Sequence, residues 1–142
     1  MQNTVLYVVI PCYNEEEVLP ETIRRMGQLF TAMMAEGQIA PQSRIVFVDD
    51  GSKDATWQLI SEVSRRDARF RGIKLAQNAG HQNALLAGLM TVKDSCDCCI
   101  SIDADLQDDI GAIPKFVTEF DRGSDVVYGV RSRRDTDSGF KR

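Results

Sequence analysis

Two aspartates one residue apart, Asp103 and Asp105, close an apolar run that begins at Cys98. Like charges set i, i+2 at the end of a buried strand repel, and a folded protein does not keep them there without compensation. A hard divalent cation supplies it. Mg²⁺ or Mn²⁺ takes one or two carboxylates and completes its shell with water and substrate phosphate. Gln107 offers a neutral oxygen slightly further along the chain. The competing reading is a solvated acidic turn that caps the next helix, because Asp-x-Asp alone is a short pattern.

The elements that would carry these residues separate the two readings. Val5 to Ile10 is rich in β-branched residues and has no polar face, as expected of a strand covered on both sides, and Pro11 ends it. Asn14 then stands as a helix N-cap, with Glu15, Glu16 and Glu17 favouring the positive helix start and Pro20 in a first turn. Ile23, Met26, Phe30 and Met33 recur at helical spacing. A second buried strand, Ile45 to Val48, also ends on acid, Asp49 and Asp50. Gly51 permits a tight turn there, and Ser52 or Asp54 caps a helix carrying Trp57, Ile60 and Val63. Gly72 to Leu75 reads as a third strand. The polar loop Gln77 to Asn83 opens a helix whose Ala84, Ala87 and Gly88 allow close approach to a sheet. After the Asp-x-Asp strand, Ile113, Phe116, Val117 and Phe120 make an amphipathic helix that Gly123 ends, and Asp125 to Val130 reads as a fifth strand.

Strands alternating with helices specify an α/β fold, a Rossmann-like and mainly parallel sheet with helices on both faces. Right-handed crossovers put every strand's C-terminal end on one edge. With strand order 3-2-1-4, the crevice beside the first strand is the switch point at which such sheets bind nucleotides. Pro11 to Asn14, Asp49-Asp50, Asn78 to Gly80 and Asp103 to Asp105 then meet at one cleft.

Composition narrows the partners. A chain of 142 residues is at most one domain and can bury a core. A net charge of −4 argues against a general nucleic-acid binder, although Arg131, Arg133, Arg134, Lys141 and Arg142 crowd the end of the chain. Cys96, Cys98 and Cys99 lack a fourth zinc ligand and read as small buried thiols of a reducing cytosol, with alternation pointing Cys98 and Cys99 to opposite sheet faces. No secretory leader and no membrane-spanning run is visible.

The cleft offers acid for a metal and helix N-termini for phosphate. It has neither Gly-x-Gly-x-x-Gly nor a Walker pattern, so phosphate must be held through a cation with help from arginine, best from Arg131. Asp50 could accept a hydrogen bond from a nucleobase, and Tyr13 could pack against that base.

Five motifs stand in order: Pro11-x-Tyr13-Asn14-Glu15, Val48-Asp49-Asp50-Gly51-Ser52, Asn78-x-Gly80-His81, Asp103-Ala104-Asp105-Leu106-Gln107 and Tyr128-Gly129-Val130-Arg131. With them the chain resembles family 2 glycosyltransferases of the GT-A fold, and within those the polyprenyl-phosphate enzymes of the dolichol-phosphate mannosyl and undecaprenyl-phosphate glucosyl type. The resemblance implies a nucleoside-diphosphate sugar as donor and a polyprenyl phosphate as acceptor. It implies a nucleoside pocket of Pro11, Tyr13, Glu15, Val48 and Asp50. Asp103, Ala104 and Asp105 would meet the donor phosphates, Asp105 and Gln107 the metal, Mg²⁺ or Mn²⁺. Arg131 would face the phosphates from the acceptor side. The implied reaction is inverting hexose transfer at the cytoplasmic face of a membrane, with Asp103 and Asp105 as the catalytic pair. The Asn78 to Gln82 loop leans towards a uridine donor over a guanosine one. Family members continue well past residue 142, so residues 1–142 are expected to be the nucleotide-sugar-binding part, with an incomplete sheet and without the acceptor part and membrane helices. An exposed sheet edge would make a homodimer possible.

Two other readings share parts of this pattern. A haloacid-dehalogenase-type phosphohydrolase carries its Asp-x-Asp after the first strand, whereas here it follows the fourth; a receiver-type module needs a lone acid after the third strand, where this chain has Leu75-Ala76-Gln77. A non-catalytic, truncated nucleotide-binding module shares every binding residue and differs only in turnover.

Overall fold

A computed structural model describes residues 4–106 and 109–123. The expected fifth strand, Gln107, Arg131 and the basic residues from Arg133 onward lie outside them. Four strands, β1 (Leu6–Cys12), β2 (Arg44–Asp49), β3 (Phe70–Lys74) and β4 (Cys98–Ser101), form one parallel sheet in the order β3-β2-β1-β4. They alternate with helices α1 (Leu19–Ala35), α2 (Thr56–Arg66), α3 (His81–Val92) and, after a 3₁₀ turn at Ile110–Ala112, α4 (Ile113–Asp121). The order is the one that sets β1 at the switch point.

The two faces of the sheet are covered unequally. Leu6, Val8, Ile10, Ile45, Phe47 and Ile100 point to the face packed by α1, α2 and α4 through Met26, Phe30, Ile60, Val63, Ile113 and Val117. Tyr7, Val9, Val46 and Val48 point to the other face, which α3 covers with Ala84, Leu85 and Val92. Alternation also separates Cys98 from Cys99, as the sequence requires. Two buried faces explain why the strands carry no polar stripe.

Three local expectations are corrected. Pro11 does not end β1: the strand continues to Cys12, with Pro11 opposite Val48 and the Asp50 amide donating to the Cys12 carbonyl at 2.8 Å. Odd-numbered residues of β1 bond towards β4, where pairing stops at Val9 and Ser101, so the N–H that proline lacks has no ladder partner to lose. Asn14 is not a helix N-cap. It stands at φ 52° in a turn, and α1 begins only at Leu19 with Pro20 in its first turn. Its oxygen instead accepts from the Lys53 amide at 2.8 Å. The cap of α2 is also shifted, with Asp54 Oδ1 accepting from the Thr56 amide and hydroxyl at 2.9 and 2.6 Å while Ala55 holds the N-cap position.

Gly88 shows how closely α3 lies on the sheet. A Cβ there would stand 2.7 Å from Val9 Cγ1 and 2.8 Å from Val48 Cγ2. Gly88→Ala should therefore destabilise the fold by about 1–3 kcal/mol through overpacking, read as a lower urea midpoint at unchanged m-value. A midpoint equal to the parent's would show that α3 lifts at no cost.

Candidate functional site

The C-terminal strand ends meet in a cleft of about 450 Å³ lined by Pro11, Cys12, Tyr13, Glu15, Asp50, Asn78, Gly80, His81, Ala84, Asp103, Ala104 and Asp105. The loops after β1 and β2 form one unit beneath it. The Asn14 amide donates to Ser52 Oγ and the Glu15 amide to Thr56 Oγ1, each at 2.8 Å, while the Ala55 amide donates to Glu16 Oε1 at 2.9 Å. These polar residues satisfy backbone groups that leave the sheet with no ladder partner.

The Asp103-Ala104-Asp105 turn is anchored through its middle residue. Ala104 is buried in the core beside α1, and its carbonyl accepts from the buried Thr22 hydroxyl at 2.5 Å. Leu106 follows at φ 52° with its amide bonded to the Asp103 carbonyl at 3.2 Å, which turns the chain back to the core. With the small residue held inward, Asp103 and Asp105 stand at the cleft on either side of it.

The other acids are handled differently. Asp50 is only 3% exposed. Its carboxylate accepts from the Ala79 amide at 2.6 Å, the Gly80 amide at 3.1 Å and the Asn78 side-chain amide at 3.3 Å, so it fixes the loop that opens α3. Asp49 is fully buried, takes the Ser52 amide at 3.3 Å and does not line the cleft. Burial raises the Glu15 carboxyl above its ordinary value, and the Asp105 and Asp103 carboxylates raise it further. Burial also pushes up the Cys12 thiol, with Glu15 and Asp49 adding to it.

Of the residues singled out in the sequence, Pro11, Tyr13, Glu15, Asp50, Asp103, Ala104 and Asp105 converge on the cleft. Val48 does not line it. Its side chain is fully buried against α3 near Gly88. Gln107 and Arg131 lie outside the described residues. Cys12, Asn78 and Gly80, which the strand order already placed at this edge, line it too, and the structure adds His81 and Ala84. Each sits at a strand end or a helix start on the same sheet edge, which is the signal that finds them. His81 is exposed, as its position at a helix start suggests, yet its Nε2 stands 4.0 Å from Asp103 Oδ1 across the cleft mouth.

A divalent cation fits this donor set in one way. Among the described residues no cluster of three or more His, Cys, Asp or Glu has metal-binding geometry. Two carboxylates whose charge already disfavours ionisation of Glu15 suit a hard cation that takes its remaining ligands from phosphate and water.

The glycosyl transferase family 2 model matches residues 7–142. The chain belongs to that family. A glycosyltransferase of Bacillus subtilis strain 168, the uncharacterised YkoT, is 53% identical over 138 residues, which cover 97% of this chain and 41% of that one. The undecaprenyl-phosphate 4-deoxy-4-formamido-L-arabinose transferase of Pseudomonas fluorescens Pf0-1 is 42% identical over 136 residues, covering 95% of this chain and 37% of the relative. The bactoprenol glucosyl transferase of Shigella phage SfX is 36% identical over 138 residues, covering 95% and 42%. This family 2 chain thus spans about two fifths of the length of these relatives. In fold it is similar to the solved mannosyltransferase PcManGT of Pyrobaculum calidifontis in complex with GDP-Man and Mn²⁺, with a TM-score of 0.59 at 19% identity over 74% of this chain and 28% of that one. The fold is the GT-A type, an α/β sheet with glycosyltransferases as its structural neighbours.

The charge cluster gives a direct test. Replacing Asp105 by Asn should bring the Glu15 titration midpoint down towards its ordinary 4.5, read by NMR of the side-chain carboxyl. The sign follows from linkage. A carboxyl raised in the fold lends stability below its unfolded pKa and loses it as pH rises through the folded value, so the variant should also lose less stability as pH rises above the ordinary 4.5. An unmoved midpoint would mean that Asp105 does not act on Glu15.

Proposed function

We propose that residues 1–142 are the nucleotide-sugar-binding part of a glycosyltransferase that moves a hexose from a nucleoside-diphosphate sugar to a polyprenyl phosphate, with inversion at the anomeric carbon. The observation that carries this reading is the cleft in which Pro11, Tyr13, Glu15 and Asp50 face Asp103 and Asp105. Its volume suits a nucleoside with part of a diphosphate sugar. The names of the relatives suggest the reaction class: one is an undecaprenyl-phosphate 4-deoxy-4-formamido-L-arabinose transferase, another a bactoprenol glucosyl transferase.

In this reading the nucleoside lies along Pro11, Tyr13 and Glu15, with Asp50 offering the base an acceptor whose position the Ala79 and Gly80 amides already fix. Asp103 and Ala104 meet the donor phosphates, and Arg131 approaches them from the acceptor side. Asp105, with Gln107, would hold Mg²⁺ or Mn²⁺, which when bound supplies charge neutralisation for the departing nucleoside diphosphate. An acceptor phosphate oxygen attacks the anomeric carbon as the bond to the diphosphate breaks on the opposite face, which inverts the configuration. The acceptor is already anionic near neutral pH, so no protein base is required. The Asn78 to Gln82 loop favours uridine over guanosine in the donor. The parent enzyme would work at the cytoplasmic face of a membrane; among the described residues no helix is long and apolar enough to cross one.

Calorimetric titration with UDP and with GDP, each with Mn²⁺ and with EDTA, tests the reading. UDP should bind with Mn²⁺, and both EDTA and the Asp103→Asn/Asp105→Asn double variant should weaken it at least ~10-fold, about 1.4 kcal/mol. Tighter GDP binding would reassign the base. A folded chain that binds neither nucleotide, or binds equally in EDTA, would overturn the proposal.

A further inference from the structure

Helix α3 differs from its neighbours in what it turns outward. The exposed side chains of α1 include Glu21, Arg24 and Gln28, and those of α2 include Gln58, Glu62 and Arg65. From His81 to Val92, α3 carries no Asp, Glu, Lys or Arg, and the run from Ala84 to Met90 has no polar side chain. A helix apolar all round is normally buried on every side. Ala84, Leu85, Gly88 and Val92 are buried against the sheet, but Leu86 and Met90 stand 55% and 56% exposed. With Tyr13 in the cleft, they are the exposed large apolar side chains among the described residues.

Leu86 and Met90 lie one turn apart, at i, i+4, on a stripe that Gln82 extends towards the cleft. Helix α3 opens at the cleft: His81, its first residue, lines the cavity and stands 4.0 Å from Asp103. The stripe therefore starts at the cleft mouth and reaches about 14 Å along the helix to Met90. Its occupant must be narrow. Two half-exposed side chains fall far short of the roughly 800 Å² that each partner of a stable protein interface buries. A helix that lies in a bilayer surface carries Lys or Arg on its polar face, whereas the other face of α3 is against the sheet and the helix has neither residue. A single hydrocarbon chain needs neither a wide patch nor a cationic rim.

We propose that the stripe of Leu86 and Met90 seats the first isoprene units of the polyprenyl phosphate acceptor, an inference that rests on the acceptor of the proposed function. The acceptor phosphate enters the cleft mouth at the N-terminal end of α3, the end that favours an anion, and its chain lies along the stripe. Each part of the ligand then meets its own chemistry: the phosphate a helix start beside the donor site, the chain an uncharged apolar surface. Met90 gives the far end of the stripe a flexible, polarisable contact suited to a branched chain. Bond making and breaking need no residue of the stripe, so it selects acceptors by the length of their chain.

The seat is tested by calorimetric titration of the full chain with dimethylallyl phosphate and with farnesyl phosphate, each below its micelle concentration. Farnesyl phosphate should bind at least ~10-fold tighter, as expected when a longer chain covers two apolar side chains. In Leu86→Ser/Met90→Ser the two ligands should bind within ~2-fold of each other, with dimethylallyl phosphate unchanged, while Leu86→Met/Met90→Leu keeps the full ratio. Met90→Gln alone should lower the ratio and remains decisive should the double serine variant fail to fold. A farnesyl preference that persists in the serine variant, or is missing from the parent, overturns the proposal. So does a parent that sediments as a dimer beside a monomeric serine variant, or stripe-dependent binding to phosphatidylcholine vesicles that contain no prenyl phosphate. Titration with UDP separates the two readings. A chain that binds UDP with Mn²⁺ but shows no chain-length ratio loses only the stripe; one that shows the ratio without binding UDP keeps the stripe and loses the nucleotide site.

Discussion

Repulsion between carboxylates gathered at one edge of a parallel sheet is the constraint that the rest of this structure answers. Parallel strands joined by right-handed crossovers deliver all their C-terminal ends to the same side, and three of the four loops there carry acid. Each acid is accommodated by a different device. Asp50 is hydrogen-bonded by amides of the loop that opens α3. Asp49 is buried away from the cleft and takes the Ser52 amide. Glu15 responds by a raised carboxyl. Asp103 and Asp105 are held open to the cleft by the inward anchoring of Ala104.

This division joins packing to chemistry. The Ala104 carbonyl can meet Thr22 only because α1 lies flat against the sheet, and α1 lies there because Met26 and Phe30 fill the space above β1 and β2. The loops after β1 and β2 exchange hydrogen bonds through Asn14, Glu16, Ser52 and Thr56, so that side of the cleft is tied together. On the opposite face, Gly88 lets α3 approach closely, which brings His81 within 4.0 Å of Asp103. The site is thus built on rigid elements, with loops that have few free backbone groups.

Much of this was legible in the chain itself. Apolar runs without a polar stripe give buried strands; their alternation with helical periodicity gives the parallel sheet; acids at strand ends give the cleft. Errors arose where a residue's local preference competes with a partner far along the chain. Asn14 has the chemistry of a helix cap, but the Lys53 amide takes its oxygen and the helix starts later. Pro11 suggests a strand end, yet its missing N–H faces a stretch where the neighbouring strand has already finished.

The sequence by itself determined the class of fold, the edge on which the chemistry sits and the identity of the acids there, because periodicity and residue type are local properties. Tertiary structure decided what each acid does. Whether a carboxylate meets an amide, a buried pocket or open cleft depends on partners 28 to 82 positions away, such as Asn78 for Asp50 and Thr22 for Ala104. Spacing along a chain fixes what a residue can offer; the hydrogen bonds of distant backbone fix which way it faces.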